Sequence, residues 1–206
     1  MKPVIYTVGH STHPIGYFAE LLITHHVNCL VDVRSVAASR FNPQYNKKAL
    51  QEFLAKYQVT YLHFGEEFGA RRTEPELRDE NGRVDFEKVR QSEKFRSGMQ
   101  RLKNGIAKGY TIALMCAEAE PLECHRFGMI TPALVEADFE VLHILKNNHI
   151  ETNAELEARL LYRFQKKVKR KGRMLRGTEK AQLQLAYRDV NEVIGFAQQS
   201  DEKPEV

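Results

Sequence analysis

The sequence predicts an α/β protein with three layers, in which a mostly parallel sheet of about five strands carries helices on both faces. Over the first 146 residues, short β-rich apolar runs alternate with segments whose apolar residues repeat every three to four positions. The run Cys29–Val33 is apolar on both faces, as expected for a strand buried in a parallel sheet. Helices between successive strands act as crossover connections, which make the strands they join parallel.

Five apolar runs are predicted to be strands, and three helices are predicted between them. The predicted strands are Val4–Val8, Cys29–Val33, Thr60–Phe64, Tyr110–Cys116 and Glu140–Leu145. The predicted helices are Ile15–His25, Leu50–Tyr57 and Ser92–Lys108. A further helix is expected to begin near Cys124, with a kink at Pro132. The charged segment Gly65–Asp85 has no clear period, which is typical of a functional or mobile loop.

After residue 150 the pattern changes to helix alone. We therefore divide the chain into an α/β domain, residues 1–150, and a helical extension, residues 151–206. Thr152 and Glu155 form a capping box at the start of the first helix of the extension, and Thr178–Gln199 is the second. Residues 200–206 have the composition of a frayed tail. The two helices could mediate self-association, and the sequence leaves the oligomeric state open.

Positive charge is concentrated in the helical extension. The chain has 31 Lys and Arg against 27 Asp and Glu, for a formal net charge of +4. Residues 163–176 contain eight cations and no acidic residue: Arg163, Lys166, Lys167, Lys169, Arg170, Lys171, Arg173 and Arg176. Two interpretations are open. The stretch is either a solvated connector between two helices or a surface that contacts the phosphate backbone of a nucleic acid.

Composition excludes several classes of protein. No apolar run approaches the roughly 20 residues that a membrane-spanning helix needs, so we expect no membrane partner. The N-terminal residues do not have the pattern of a signal peptide. Three cysteines, an odd number, argue against a disulfide framework and for a reducing compartment. We therefore expect a cytoplasmic protein.

Polar and reactive residues follow the predicted strands, where ligands bind in open α/β sheets. Arginine favours bidentate contact with phosphate or carboxylate, and the Gly-His-Ser-Thr turn offers backbone N–H groups before a helix. The candidate substrate-binding residues are Ser11, Arg34, Arg40, Asn42, His125 and Arg126. The candidate catalytic residues are Cys116, Cys124, Glu118, Asp32 and His10. We assign candidate contacts to nucleic acid to Lys166, Lys167, Lys169, Arg170, Lys171 and Arg173.

Cys116 and Cys124 stand out among these candidates. Cys116 lies where a predicted strand meets a loop, and Cys124 lies at a predicted helix N-terminus beside His125 and Arg126, whose charges favour a thiolate. The pair could supply a nucleophile or redox centre, bind a metal, or only pack. Cys-x7-Cys-His is not a zinc-knuckle spacing, and the adjacent Cys124 and His125 are an awkward pair of ligands for one ion. We therefore predict no metal ligands and leave the cofactor unknown.

Taken together, the motifs resemble domain-of-unknown-function family 488. They are Tyr6–Ser11, Val31–Ser35, Arg40–Asn46, Leu114–Glu118 and Glu123–Arg126. The resemblance covers about residues 3–146 and leaves the helical extension outside. It implies a three-layer α/β domain whose motif residues converge, and it supplies no reaction.

The leading hypothesis is an enzyme that applies thiol or acid/base chemistry to a phosphorylated, nucleotide-like or nucleic-acid substrate. The first alternative is a non-catalytic module that binds a nucleotide or nucleic acid, with the basic stretch providing affinity. A metal site built on Cys116 and Cys124 is a second alternative, and a partner-binding protein that uses the two terminal helices is a third.

Overall fold

The computed structural model describes residues 2–172, 174 and 176–197, and these form the predicted α/β fold. The strands are β1 (Val4–Gly9), β2 (Cys29–Asp32), β3 (Thr60–His63), β4 (Ile112–Cys116), β5 (Glu140–Ile144) and β6 (Ile150–Thr152). They lie in one sheet in the order β3-β2-β4-β1-β5-β6. The first five strands are parallel, and β6 pairs antiparallel with β5. The mostly parallel sheet is confirmed, with one strand more than the five predicted.

The helices are α1 (Ile15–Thr24), α2 (Lys47–Ala55), α3 (Gly65–Phe68), α4 (Phe86–Gln91), α5 (Glu93–Ala107), α6 (Thr131–Glu136), α7 (Asn153–Arg170) and α8 (Glu179–Ile194). The predicted helix Ser92–Lys108 matches α5, and Ser92 Oγ caps it by accepting a hydrogen bond from Phe95 N–H. The predicted loop Gly65–Asp85 contains α3 and a single 3₁₀ turn, so it is less irregular than expected.

The segment after Cys124 differs from the prediction. A π turn spans Arg126–Ile130, and α6 begins at Thr131. Pro132 therefore lies in the first turn of α6, where a backbone N–H has no partner within the helix and its loss costs nothing. The predicted kink at Pro132 is wrong, because the change of helix geometry occurs in the π turn before it.

Two apolar cores sandwich the sheet. On one face, α1 and α2 bury Phe18, Leu22, Leu50 and Leu54 against alternate residues of the strands. On the other face, helices α3 to α6 bury Phe68, Phe86, Phe95 and Leu134 against the remaining strand residues. β4 contributes to both cores and is buried along its whole length, as its continuous apolar run predicts.

The connections reverse direction around β4, and this positions the site. α1 and α2 connect β1 to β2 and β2 to β3 on one face of the sheet, whereas α3 to α6 connect β3 to β4 and β4 to β5 on the other. The chain therefore leaves β4 towards one face and leaves its two neighbours, β1 and β2, towards the opposite face. In open α/β sheets, a crevice forms at the carboxyl ends of strands where this reversal occurs.

The helical extension packs against the preceding part of the chain. Its capping box is confirmed, since Thr152 Oγ1 accepts a hydrogen bond from Glu155 N–H and the Glu155 carboxylate accepts one from Thr152 N–H. α7 and α8 enclose a third core, which contains Leu122, Phe127, Leu156, Leu160, Ala186 and Val190. The apolar stripes that suggested self-association therefore lie against each other and against Phe127, and self-association stays a prediction.

Several sequence-based expectations fall on residues that lie outside the described part of the chain. These are Arg173, residues 198–199 of the predicted last helix, and the tail, residues 200–206. The predicted helix Thr178–Gln199 is too long, because α8 ends at Ile194 and residues 195–197 are not helical. Among the described helices, none combines the length and the apolar character needed to cross a membrane.

His143 is a buried histidine in the middle of β5. It is fully buried, and its Nδ1 lies 2.8 Å from Thr7 Oγ1 on the neighbouring strand β1. Burial lowers the pKa of His143 to about 3, and the positive charge of Arg126 acts in the same direction. In mild acid, His143 is therefore neutral in the folded protein, whereas in the unfolded chain it is partly protonated.

We predict that His143 makes the protein less stable in mild acid. Because the folded-state pKa is lowered, the unfolded chain binds the extra proton, and stability falls as the pH drops from about 6.5 towards about 3. In urea unfolding, the wild type should lose about 2 kcal/mol more than His143→Asn between pH 7 and pH 5. The other titratable groups are the same in both proteins. An equal loss of stability in the wild type and in His143→Asn would therefore contradict the low pKa of His143.

Candidate functional site

The carboxyl ends of β1, β2 and β4 open into a cleft of about 690 Å³, at the point where the connections reverse. Seven of the eleven site residues predicted in the α/β domain line this cleft: His10, Ser11, Arg34, Asn42, Cys116, Glu118 and His125. These residues come from loops far apart in sequence. Their convergence agrees with the expectation that the polar strand ends share one edge of the sheet.

The other four predicted residues do not line the cleft. Asp32, Cys124 and Arg126 are buried, and each contacts residues of the cleft wall from behind. Arg40 is exposed on the loop before the 3₁₀ turn Pro43–Tyr45. The substrate contacts predicted for Arg40 and Arg126 therefore find no support in the geometry.

Asp32 and Arg34 form a buried ion pair at the end of β2. Arg34 Nε donates to one carboxylate oxygen of Asp32 at 2.9 Å, and Nη2 donates to the other at 2.6 Å. The hydroxyl of Tyr61 and the backbone N–H of Arg34 also donate to Asp32. Since both carboxylate oxygens are engaged, Asp32 positions Arg34, and this geometry does not favour the acid/base role predicted for it.

His10 connects this ion pair to the end of β1. Its Nδ1 donates to the Ser11 carbonyl at 2.8 Å, which leaves Nε2 free to accept a hydrogen bond from Arg34 Nη1 at 3.2 Å. The ring stacks on Tyr45 at 4.1 Å. Burial lowers the pKa of His10 to about 4, and Arg34 acts in the same direction. The imidazole is therefore neutral at pH 7 and serves to orient Arg34.

The loop after β1 joins β4 and leaves few amides for a ligand. His10 N–H donates to the Cys116 carbonyl at 2.9 Å, and Ser11 N–H donates to the Ala117 carbonyl at 2.8 Å. Ser11 has a φ of 48°, which bends the loop towards α1. These two N–H groups extend the pairing of β1 with β4 and are not free for an anion, and anion binding by the N–H groups that follow Ser11 stays a prediction.

Four side chains that carry metal-binding atoms cluster at the end of β4. Cys116 Sγ lies 3.4 Å from His125 Nδ1, and Cys124 Sγ lies 3.0 Å from Glu118 Oε2 and 4.0 Å from His125 Nδ1. All four of these atoms lie within 4.8 Å of one another. Cys116, Glu118 and His125 line the cleft, whereas Cys124 lies behind them.

The two thiols differ in their electrostatics. Burial raises the pKa of Cys116, and its hydrogen bond to Cys124 raises that pKa further. Burial alone would also raise the pKa of Cys124, but the hydrogen bond with Cys116 and the charges of Arg126 and His125 bring it well below its usual value. The surroundings therefore favour a thiolate on Cys124 over one on Cys116, the thiol that lines the cleft.

The two remaining members of the cluster also have shifted pKa values. Burial raises the pKa of Glu118, and the neighbouring charge of Cys124 adds to the effect. Burial by itself would lower the pKa of His125, but the hydrogen bond to Cys124 and the charges of Cys124 and Glu118 raise it overall. Strongly shifted groups that meet in a cleft are typical of functional sites.

Arg126 holds the loop that carries Glu118. Its guanidinium is fully buried and donates to the carbonyls of Glu118 at 2.6 Å and Ala119 at 3.1 Å. Its backbone N–H donates to Cys124 Sγ at 3.4 Å. Within the described residues, no carboxylate lies within ion-pair distance of this guanidinium, so its charge acts on the thiol cluster.

Several residues of the cleft wall were not among those predicted from the sequence. Arg71 lines the cleft, and its backbone N–H donates to the Ser35 hydroxyl at 2.9 Å. The many charged residues of the segment Gly65–Asp85 were the sequence feature that could have indicated a role for Arg71. Ile194 and Phe196 also line the cleft, although they belong to the helical extension, at the end of α8 and just after it. No local pattern indicated those two residues, because their placement depends on how α8 packs.

The basic residues of the extension lie on a different surface. A groove of about 400 Å³ on α7 is lined by Arg163, Lys166, Lys167, Arg170 and Lys171, none of which lines the cleft. Lys169 is exposed, and Lys167 forms an ion pair with Asp189 on α8. A phosphate backbone would meet this groove without entering the cleft.

The reversal around β4 and the polar cleft above it define a three-layer protein with an open, mostly parallel sheet. The chain belongs to the family described as Domain of unknown function DUF488, whose model matches residues 14–129. That range includes the Asp32–Arg34 pair and the cluster at the end of β4, and it excludes His10, Ser11 and the helical extension. No curated protein and no solved structure matches this chain.

Gly9 fixes the contact between the ends of β1 and β4, and we predict that a side chain there is strongly destabilising. A Cβ on Gly9 would lie 1.9 Å from the backbone carbonyl oxygen of Glu118, which cannot move without displacing the cluster loop. Gly9→Ala should lower the free energy of unfolding by about 3 kcal/mol or more in chemical denaturation.

Gly16→Ala in α1 is the matched control. A Cβ on Gly16 meets no atom of the described residues within 4 Å, so the alanine should leave stability unchanged or raise it by up to about 1 kcal/mol. Similar stabilities of the two variants would show that the close approach at Gly9 is not maintained in solution.

Proposed function

We propose that this protein is an enzyme that converts a small anionic molecule, phosphorylated or nucleotide-like, in the cleft above Cys116. The observation that carries this proposal is that Cys116, Glu118 and His125 line the same cleft as Arg34 and Arg71. A simple binding module needs groups that attract the ligand, but it has no need of a reactive cluster beside them. A cleft that combines both is typical of an active site.

Arg71 is the main support for an anionic substrate. It is exposed at the cleft, and among the residues that the structure describes no carboxylate lies within ion-pair distance of it. Arg34 is neutralised in part by Asp32, so its role is to present a rigid donor. Hydroxyl and amide groups complete the polar lining, as the ribose or phosphate of a nucleotide would require: Ser11, Thr12, Ser35, Ser39 and Asn42.

Glu118 is the best-placed acid or base. It lines the cleft and is the exposed member of the cluster, whereas both cysteines are buried and His125 is half-buried. Its raised pKa brings it closer to the pH at which proton transfer is efficient. A substrate atom above Cys116 would lie beside Glu118 and His125, so the three groups form the reactive side of the proposed site.

Binding of nucleoside monophosphates tests the anionic substrate class. Calorimetry should show that a nucleoside monophosphate binds at least about 10-fold more tightly than its nucleoside, which corresponds to about 1.4 kcal/mol. Arg71→Ala should abolish this preference, whereas Arg96→Ala, at an exposed arginine outside the cleft lining, should retain it. A wild-type protein with no preference for the phosphorylated ligand would contradict the proposal.

Conversion of the bound ligand tests catalysis separately. Incubation of the protein with the tightest ligand, followed by NMR, should reveal a product, and Glu118→Gln should lower turnover by about 100-fold or more. Ligand that binds and is never converted would favour the binding module instead.

The groove on α7 supports a second candidate function, contact with a nucleic-acid backbone. Five cationic side chains surround it, and only Lys167 is paired with a carboxylate in the described chain. Fluorescence anisotropy with a DNA oligonucleotide should show affinity that falls steeply with salt. Lys166→Ala with Arg170→Ala should reduce the salt slope by about 2, whereas Lys103→Ala with Lys108→Ala, which remove two exposed lysines elsewhere, should not. Absent or salt-independent binding would contradict this function.

A further inference from the structure

We propose that Cys116, Glu118, Cys124 and His125 bind a zinc ion. Two thiol sulfurs, an imidazole nitrogen and a carboxylate oxygen all lie within 4.8 Å of one another, and these are the donor types that zinc prefers. The inference deepens the proposed function, and it rests on that function only for the use of the ion in catalysis. It also replaces our sequence-based expectation that the chain has no metal ligands.

The distances between donors match a tetrahedral zinc site. Zinc lies about 2.3 Å from sulfur and about 2.0–2.2 Å from nitrogen or oxygen, so neighbouring ligand atoms are about 3.3–3.8 Å apart. The separations observed are 3.4 Å from Cys116 to His125, 3.0 Å from Cys124 to Glu118 and 4.0 Å from Cys124 to His125. These three separations lie near the tetrahedral range, and the remaining donor pairs lie within 4.8 Å, so the donors would have to move by up to about 1 Å to share one ion.

Outer hydrogen bonds orient the donors towards a common point. His125 Nε2 donates to the Val33 carbonyl at 3.1 Å, and because a carbonyl can only accept, Nε2 keeps its proton and Nδ1, which faces the two sulfurs, is the nitrogen that would exchange its proton for a metal ion. Metal-binding histidines are commonly held in this way. The Arg126 N–H that donates to Cys124 Sγ favours a thiolate at that position.

The charge around the cluster also favours a divalent cation. Metal binding displaces the thiol protons, so the liganded cluster has two thiolates and the Glu118 carboxylate, with three negative charges, beside the one positive charge of the buried Arg126 guanidinium. A zinc ion supplies the other two, which makes the assembly neutral. Buried charge is tolerated when it is compensated locally, and with zinc bound neither the thiolates nor Arg126 is left uncompensated.

The backbone explains how the adjacent Cys124 and His125 can bind one ion. Cys124 is extended, with φ −134° and ψ 141°, whereas His125 has the helical values φ −63° and ψ −23°. The chain turns between the two residues, and the π turn begins at the next position. This change of direction brings both side chains to the same side of the loop, which the spacing alone does not reveal.

Glu118 connects the ion to the substrate. Cys116 and Cys124 are both buried, whereas Glu118 is exposed. A catalytic zinc keeps three protein ligands and exchanges the fourth position between water and substrate. The carboxylate of Glu118 is therefore the ligand that an oxygen of the anionic substrate would replace, which would free Glu118 for the acid or base role proposed above while Cys116, Cys124 and His125 hold the ion.

Metal analysis of untagged protein tests the site directly. Wild type and Cys29→Ser should contain stoichiometric zinc by mass spectrometry, because Cys29 is a buried strand residue outside the cluster. Cys116→Ser and Cys124→Ser should lose it. Glu118→Gln should retain zinc but bind it at least about 10-fold more weakly than the wild type, as measured by competition with a chelator. Cobalt in place of zinc should give the thiolate charge-transfer absorption of two sulfur ligands.

Two results would overturn the zinc site. One is wild-type protein that stays free of zinc in zinc-supplemented medium and binds cobalt without thiolate absorption; the other is equal zinc content in Cys29→Ser and Cys124→Ser. If the cysteine variants do not fold, Glu118→Gln and the cobalt spectrum of the wild type still decide. If the protein is free of zinc but still prefers nucleoside monophosphates over nucleosides, the zinc site is refuted and the proposed function is not. If the protein contains zinc but has no preference for the phosphorylated ligand, the proposed function is refuted and the zinc site is not.

Discussion

The buried ion pair of Asp32 and Arg34 is the interaction on which the cleft depends. A carboxylate at the end of a central strand is costly to bury unless every lone pair is used, and here the guanidinium, a backbone N–H and the Tyr61 hydroxyl use them. Arg34 extends the network to the Tyr45 carbonyl and to His10. The ends of two strands and a loop are thereby held in one arrangement, and removal of either charge would cost about 3–5 kcal/mol.

Much of the fold could be predicted from periodicity because the sheet is buried on both faces. β4 is a continuous apolar run, so its pattern is unambiguous. β6 was missed because three residues at the start of a helical pattern are too short to show a period of two. α4 was missed for a similar reason, since its six residues follow the irregular segment that precedes Asp85.

The candidate site was predictable in position but not in detail. Strand ends share one edge in any parallel sheet, so the convergence of Arg34, Cys116 and Glu118 follows from topology alone. Whether a loop side chain points into the cleft or behind it depends on the local backbone. For that reason the sequence suggested Arg126 as a substrate contact, although it holds a loop, and did not select Arg71, which lines the cleft.

The wall formed by Ile194 and Phe196 has a consequence for the order in which the protein becomes complete. Val84 N–H donates to the Phe196 carbonyl, and Arg83 pairs with Ala197 in an isolated bridge, so this segment is anchored on residues more than one hundred positions earlier. The last strand of the sheet ends at Thr152 and the thiol cluster ends at His125, so the ribosome makes both before it makes residues 194–197. A nascent chain that has not yet reached these residues therefore lacks this part of the cleft wall, and the wall is complete only after they have packed against Arg83 and Val84.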